Sequence, residues 1–165
     1  MRVLLFGRDG KVGTVLMGAL RAAGHEVDGV EVGDEIEVLM EPSYRMVDQM
    51  VTRVGELGKA GYRTALLTNT FAEFQPTMQR DIDFDLFDVV VESFAVGSRK
   101  PERAIYEITQ TQLGVDHDAI VYLDDFEQNL GPATSLGWTT ILVSDPGAAI
   151  TEVRSILGGS GYDPK

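Results

Sequence analysis

Short apolar runs alternate with segments of helical periodicity along this chain, and this alternation constrains the fold more than any other feature of the sequence. The apolar runs contain few polar residues, as in strands that are buried on both faces of a sheet. Strands that alternate with helices predict an α/β protein whose parallel sheet is covered by helices on both faces. The strand-like runs are RVLLF, YRTALLTNT, FDVVVES, AIVYLDD and WTTILVS, with HEVDGVEV as a further candidate that Gly29 weakens.

Length, charge and cysteine content exclude several classes of protein. A chain of 165 residues predicts one domain with a substantial core. Its 26 acidic and 14 basic residues give a net charge of −12, which disfavours nucleic acids and anionic membranes as partners. The absence of cysteine excludes disulfides, and no stretch approaches the ~20 apolar residues that span a bilayer. We therefore expect a cytoplasmic domain in which an anionic ligand requires a local positive site.

Polar side chains follow three of the strand-like runs at the point where each run ends. Thr68 and Asn69 end one run, Lys100 follows the next, and Asp124 and Asp125 end a third. The carboxyl ends of parallel strands meet in one crevice, where ligands of such sheets bind. Adjacent buried carboxylates favour a cation such as Mg²⁺, and a lysine with a threonine hydroxyl suits a phosphate group. Each residue alone could be a helix cap or a solvated charge, but their occurrence together predicts a phosphate site.

The residues from about Ser43 to Gly158 resemble the haloacid dehalogenase-like (HAD) hydrolase superfamily, in particular the subgroup that includes the N-terminal phosphatase domain of soluble epoxide hydrolases. The resemblance implies a three-layer, doubly wound α/β sandwich with strand order 5-4-1-2-3, Mg²⁺ as the metal and a phospho-aspartyl intermediate. The segments that carry it are ALLTNT, VVVESFAVGSRKPERAIYE, IVYLDDFEQNLGPATSLGWTTILV and SDPGAAITEV.

The resemblance also assigns roles to individual residues. Thr68 and Asn69 match the phosphate-binding second motif, and Lys100 matches the lysine of the third motif, which binds phosphate and takes part in catalysis. Asp124 and Asp125 match the acidic motif that binds the metal. The implied ligand is a small phosphorylated molecule.

The first motif departs from the family pattern of a strand followed by Asp-x-Asp-Gly. The sequence LLFGRDG retains Asp9, at the general acid/base and metal-binding position, and Gly10, but Gly7 occupies the position of the nucleophile. Without a carboxylate at residue 7 there is no covalent acceptor, and a metal loses an anionic ligand. We therefore expect phosphatase activity to be absent or residual. Residues 15–42 are also too few for the cap that this subgroup uses.

The same opening residues resemble the dinucleotide-binding segment of dihydrodipicolinate reductases. Gly7, Gly10 and Gly13 follow a strand and precede a helical pattern, which is the context of a pyrophosphate-binding turn. Glu31 or Asp34 could bind a ribose hydroxyl. This alternative implies an NAD(P)- or phosphate-binding module, although the His-His-Lys signature of the reductases is absent from the chain.

The two resemblances suggest a single domain over residues 1–158 that joins two pieces. Residues 1–35 form the dinucleotide-type opening, 36–42 a seam, and 43–158 the HAD-like core, with a flexible tail at 159–165. The two resemblances predict different strand orders for the sheet. The HAD-like order places IVYLDD beside RVLLF, whereas a dinucleotide-binding order of 3-2-1-4-5-6 places VVVES there. We favour the HAD-like order, because the downstream motifs are the more specific.

Three function classes remain open from the sequence: a weak phosphatase, a phosphate- or dinucleotide-binding module, and a structural hybrid without activity. The missing cap also leaves Met40, Met46 and Met50 as candidates for an exposed apolar groove. Such a face predicts self-association.

Overall fold

The computed structural model describes the backbone of residues 3–8 and the chain from 51 to 158. These residues contain a five-stranded parallel sheet with the order β3-β2-β1-β4-β5. This order is the one that the HAD resemblance implies, so the predicted fold class is confirmed. The strands are β1 Val3–Arg8, β2 Arg63–Thr68, β3 Val89–Glu92, β4 Ile120–Asp124 and β5 Thr139–Leu142.

Strand β1 is the central strand of this sheet and pairs on both of its edges. Gly7 pairs with Leu67 of β2, and Phe6 pairs with Leu123 of β4. Strand β3 pairs with β2, not with β1. The dinucleotide-type order, which places VVVES beside β1, is therefore not the order of this sheet.

Helices connect the strands, as the alternation of patterns predicted. Pro76 lies in the first turn of its helix, where a missing N–H costs nothing, and Gly114 ends another helix with a φ of 63°. Short 3₁₀ turns occupy Ala72–Phe74, Phe84–Leu86 and His117–Ala119. The helices are α1, which includes residues 51–59, α2 Gln75–Asp81, α3 Ser93–Val96, α4 Arg103–Leu113, α5 Glu127–Ser135 and α6 Pro146–Gly158.

The sheet separates two apolar cores, which gives the protein its three layers. One core packs α4 and α5 against the sheet and contains Tyr106, Tyr122 and Trp138, whose rings meet edge to face at centroid distances of 5.8 to 5.9 Å. Such aromatic pairs each add about 0.5–1.5 kcal/mol beyond the area that they bury. The other core packs side chains of α1 and α6, including Leu57 and Val153, against the opposite face.

Several predictions concern residues beyond the described ranges. Asp9, Gly10, Gly13, the HEVDGVEV strand, the seam at 36–42, the three methionines and the tail at 159–165 all lie outside them. Across residues 51–158, no helix is long and apolar enough to cross a membrane.

Candidate functional site

The candidate site lies at the carboxyl edge of the sheet. Thr68 is the last residue of β2, Glu92 of β3 and Asp124 of β4. Gly7 and Asp124 each lie one residue beyond the last Cα pair of β1 and β4, Phe6 with Leu123, so they are neighbours at this edge. Thr68 and Asp124, two of the predicted site residues, therefore lie at the same edge of the sheet.

Asn69 fastens the end of β2 to the segment that carries Lys100. Its Oδ1 accepts a hydrogen bond from the backbone N–H of Lys100 at 2.8 Å, and its Nδ2 donates to the backbone carbonyl of Lys100 at 3.0 Å. Both polar atoms of the Asn69 side-chain amide thus form hydrogen bonds with the backbone of Lys100. The geometry gives the side chain of Asn69 a positioning role, and direct phosphate binding by this side chain stays a prediction.

Lys100 and Asp124 form a fully buried ion pair. Nζ of Lys100 lies 2.8 Å from Oδ2 of Asp124, and both side chains are inaccessible to solvent. An ammonium group has three donors, and the contact with Asp124 uses one of them. The pairing compensates for the burial of the two side chains at this edge.

The carboxylate of Asp124 accepts four hydrogen bonds. Besides Lys100, the hydroxyl of Tyr122 donates to Oδ2 at 2.5 Å. The backbone N–H of Phe126 and Nδ2 of Asn129 donate to Oδ1 at 2.8 and 3.0 Å. A carboxylate has about four lone-pair positions, and these four donors account for them. Asp124 therefore holds Lys100 in place, and its predicted role as a metal ligand has no support from this geometry.

The described residues provide few ligands for a metal. No group of three or more His, Cys, Asp or Glu side chains within residues 51–158 is arranged to hold one. Asp125 is half-buried beside Asp124, Gly7 has no carboxylate, and Asp9 lies outside the described residues. Mg²⁺ favours several oxygen ligands including one or two carboxylates. The described part of the site therefore does not by itself fit a Mg²⁺ ion.

Ser93 also holds the segment after β2 by hydrogen bonds, and the sequence did not predict this role. Its hydroxyl accepts from the backbone N–H of Thr70 and donates to the carbonyl of Thr70, both at 3.0 Å. This contact ties the segment after β2 to the start of α3. Ser93 directly follows strand β3, so the strand-end argument could have included it.

Glu92 was also missed, although it ends β3. Its Oε2 accepts a hydrogen bond from Nε2 of Gln75, the first residue of α2, at 2.6 Å. The segment after Thr68 is therefore attached to the β3 side of the crevice at Asn69, Thr70 and Gln75.

This five-stranded parallel sheet, with helices packed on both faces, defines a three-layer α/β sandwich of the Rossmann-like type. A family profile described as haloacid dehalogenase-like hydrolase matches residues 5–137. The chain belongs to this family. The matched range includes Gly7 and crosses the predicted seam, and the idea of two joined pieces stays a prediction.

Curated relatives support the same assignment over part of their length. The chain is 34% identical over 116 residues to bifunctional epoxide hydrolase 2 of Rattus norvegicus, covering 66% of this chain and 21% of that protein. It is 35% identical over 109 residues to acyl-CoA dehydrogenase family member 10 of Mus musculus, covering 66% of this chain and 10% of that protein. A sesquiterpene phosphatase of Aspergillus oryzae is 27% identical over 111 residues, covering 67% of this chain and 57% of that protein. The chain thus spans about a fifth or less of the first two relatives.

Solved structures show the same fold at lower identity. A predicted HAD-like family hydrolase from Porphyromonas gingivalis matches with a TM-score of 0.61 and 17% identity, covering 93% of this chain and 97% of that one. A HAD family enzyme from Bacteroides thetaiotaomicron, an Asp-to-Ala variant in complex with magnesium and inorganic phosphate, matches with a TM-score of 0.60 and 19% identity, covering 86% and 93%.

Proposed function

We propose that this chain is a HAD-like domain that binds the phosphate group of a small molecule and hydrolyses its ester slowly or not at all. One observation carries the proposal. The structure holds a buried, ion-paired Lys100 at the carboxyl edge of the sheet, while the neighbouring end of β1 presents Gly7.

The phosphate-binding part of the proposal rests on local charge in an acidic protein. With a net charge of −12, the chain repels anions at long range, so a phosphate requires a cation at the site. Lys100 is such a cation, and its backbone position is set by Asn69. Thr68, at the end of the adjacent strand, supplies a hydroxyl for a phosphate oxygen.

The loss of hydrolysis follows from the residue at position 7. Nucleophilic catalysis by this family requires a carboxylate at that position, as the resemblance implies, and glycine has no side chain to attack phosphorus. Removing a nucleophile typically lowers kcat by several orders of magnitude, with the remainder supplied by binding and electrostatics. Lys100 and Thr68 can still stabilise a bound phosphate group. We therefore expect the chain to bind phosphate although it has lost most or all of its hydrolytic activity.

Two relatives support this combination. A curated relative is named a sesquiterpene phosphatase. A HAD family structure of the same fold is a complex of an Asp-to-Ala variant with magnesium and inorganic phosphate. That protein was therefore found with phosphate although one of its aspartate side chains had been removed, and we propose that this chain likewise binds phosphate without a carboxylate at residue 7.

The resemblance implies Mg²⁺ as the cofactor of the family. Asp125 is the candidate ligand among the described residues, and Asp9 is the further candidate from the sequence. The NAD(P)-binding alternative has no observation in its favour within residues 3–8 and 51–158, because their strand order differs from the dinucleotide-binding one.

The proposal is tested by hydrolysis of an aryl phosphate with the native chain and with Gly7→Asp, in the presence of Mg²⁺. We expect turnover from Gly7→Asp and little or none from the native chain. Gly7→Asn is the matched control, because it adds similar volume without a nucleophilic carboxylate, and it should remain inactive. Equal activity of the native chain and Gly7→Asp would contradict the missing-nucleophile argument. Inactivity of every variant, together with no binding of inorganic phosphate, would overturn the phosphate site itself.

A further inference from the structure

Glu92 is a buried carboxylate at the crevice that the proposed function does not use. Its side chain is part of the buried set, with the residue 7% exposed. Oε2 accepts a hydrogen bond from Gln75, whereas Oε1 is buried without a hydrogen-bond partner in the described part of the chain. The ion pairs found within residues 51–158 do not involve Glu92.

This arrangement leaves the carboxylate short of donors. A buried charge is costly unless it is paired or fully hydrogen-bonded, and Gln75 supplies a single neutral donor. An unsatisfied buried polar atom in a native protein calls for a specific explanation, such as a bound ligand, an ion or a water molecule. The position of Glu92, beside the proposed phosphate site, favours a bound ligand.

Glu92 lies directly beside the proposed phosphate site. It pairs with Thr68 in the parallel ladder between β2 and β3. Neighbouring strands lie about 4.8 Å apart, and residues paired across them present their side chains to the same face of the sheet. A carboxylate on the strand beside Thr68 repels a phosphate group bound at Thr68, unless the ligand itself places a positive charge between the two.

We propose that Glu92 binds an ammonium group of the ligand, so that the site selects phosphate monoesters that carry an amino group close to the ester. Oε1 receives an N–H of the ammonium while Oε2 keeps its hydrogen bond from Gln75. Lys100 and Thr68 hold the phosphate end. This selectivity rests on the proposed phosphate site, and it assigns Glu92 the role of a specificity-determining residue.

The test compares two ligands that differ in the amino group. Isothermal titration at physiological ionic strength measures the affinity of the native chain for 2-aminoethyl phosphate and for ethyl phosphate. We expect the native chain to bind the amino ligand about tenfold more tightly, as a hydrogen bond between charged groups implies. Glu92→Gln should abolish this preference while its affinity for ethyl phosphate stays equal or rises.

Glu73→Gln is the matched control, because it removes the same charge from an exposed position two residues before Gln75. It should leave the preference unchanged, which separates direct binding from the general charge of the protein. Thermal unfolding checks that Glu92→Gln is folded. If it is not, Glu92→Asp replaces it, since it keeps the charge and shortens the reach, and it should reduce the preference.

Three outcomes are distinguishable. Tighter binding of the amino ligand that depends on Glu92 supports the inference. Equal binding of both ligands by the native chain, or a preference that survives Glu92→Gln, overturns it and leaves the phosphate site standing; Oε1 would then contact water only. No binding of either ligand, with no binding of inorganic phosphate, overturns the proposed function and this inference together.

Discussion

Nζ of Lys100 lies 2.8 Å from Oδ2 of Asp124, and no part of either side chain is exposed to solvent. The two residues are 24 positions apart in the chain and are brought together at the end of strand β4. Tyr122 and Asn129 donate further hydrogen bonds to the same carboxylate. Lys100 is the cation of the proposed phosphate site. It is therefore positioned by Asp124, Tyr122 and Asn129, and none of these three residues needs to contact the ligand.

Asp124→Asn is expected to destabilise the protein strongly. The change leaves the charge of Lys100 buried without its partner, and breaking a buried ion pair in this way costs about 3–5 kcal/mol. Urea unfolding measures the loss. Tyr122→Phe is the comparison, because it keeps the ion pair and removes one hydrogen bond to the carboxylate, with an expected loss of about 1–3 kcal/mol. A smaller effect of Asp124→Asn than of Tyr122→Phe would contradict the assigned role of the pair.

Asn69→Ala is expected to weaken binding of inorganic phosphate through Lys100. The change removes both hydrogen bonds that fix the backbone of Lys100, and we expect an affinity loss of about tenfold, equivalent to roughly 1.4 kcal/mol. A double-mutant cycle with Lys100→Met separates this effect from direct phosphate contact. If Asn69 acts through Lys100, then Asn69→Ala adds little in the Lys100→Met background. Additive losses would instead support the sequence-based prediction that Asn69 binds phosphate itself.

Ser93→Ala is expected to loosen the segment that follows Thr68. It removes the hydroxyl that bonds both backbone groups of Thr70, at a cost of about 1–3 kcal/mol in unfolding free energy. Phosphate affinity should fall as well, because the same segment carries Asn69. Ser135→Ala is the matched control, since its hydroxyl donates within the exposed end of α5. An equal effect of the two serine variants on phosphate affinity would show that Ser93 has no special role at the site.

Removal of Mg²⁺ is expected to change phosphate binding only slightly in the native chain. Asp124 is occupied by four donors and Gly7 supplies no ligand, so few carboxylates among the described residues remain for the ion. In Gly7→Asp the added carboxylate should make phosphate affinity depend on Mg²⁺ by about tenfold or more. Titrations with inorganic phosphate, with millimolar Mg²⁺ or with a chelator, measure both. A strong Mg²⁺ dependence of the native chain would show that residues outside the described ranges complete a metal site.

Much of the site could be located from the sequence because of one regularity. In a parallel sheet all carboxyl ends lie at one edge, so a polar residue that ends an apolar run is placed there by the chain itself. Thr68 and Asp124 were found in this way, and the structure has both at strand ends. Glu92 ends the run VVVE by the same rule, but it was read as part of the strand and not as a site residue.

What each polar group does at that edge could not be predicted from spacing. Asn69 and Asp124 were assigned to phosphate and metal, because their residue types suit those ligands. In the structure, Asn69 forms hydrogen bonds with the backbone of Lys100, and Asp124 pairs with its ammonium group. A side-chain amide or carboxylate binds whichever donors the fold brings near it, and those donors come from distant positions in the sequence.

The sequence by itself determined the class of fold, since buried apolar runs alternating with amphipathic helices have few stable arrangements other than a covered parallel sheet. It also determined that position 7 carries no nucleophile, because glycine lacks the necessary atoms in any fold. Only the tertiary structure decided the pairing of Lys100 with Asp124. It also decided that one oxygen of Glu92 is buried without a hydrogen-bond donor among the described residues. Hydrogen bonds act over about 3 Å, so they depend on how the strand ends are placed in space and not on the order of residues along the chain.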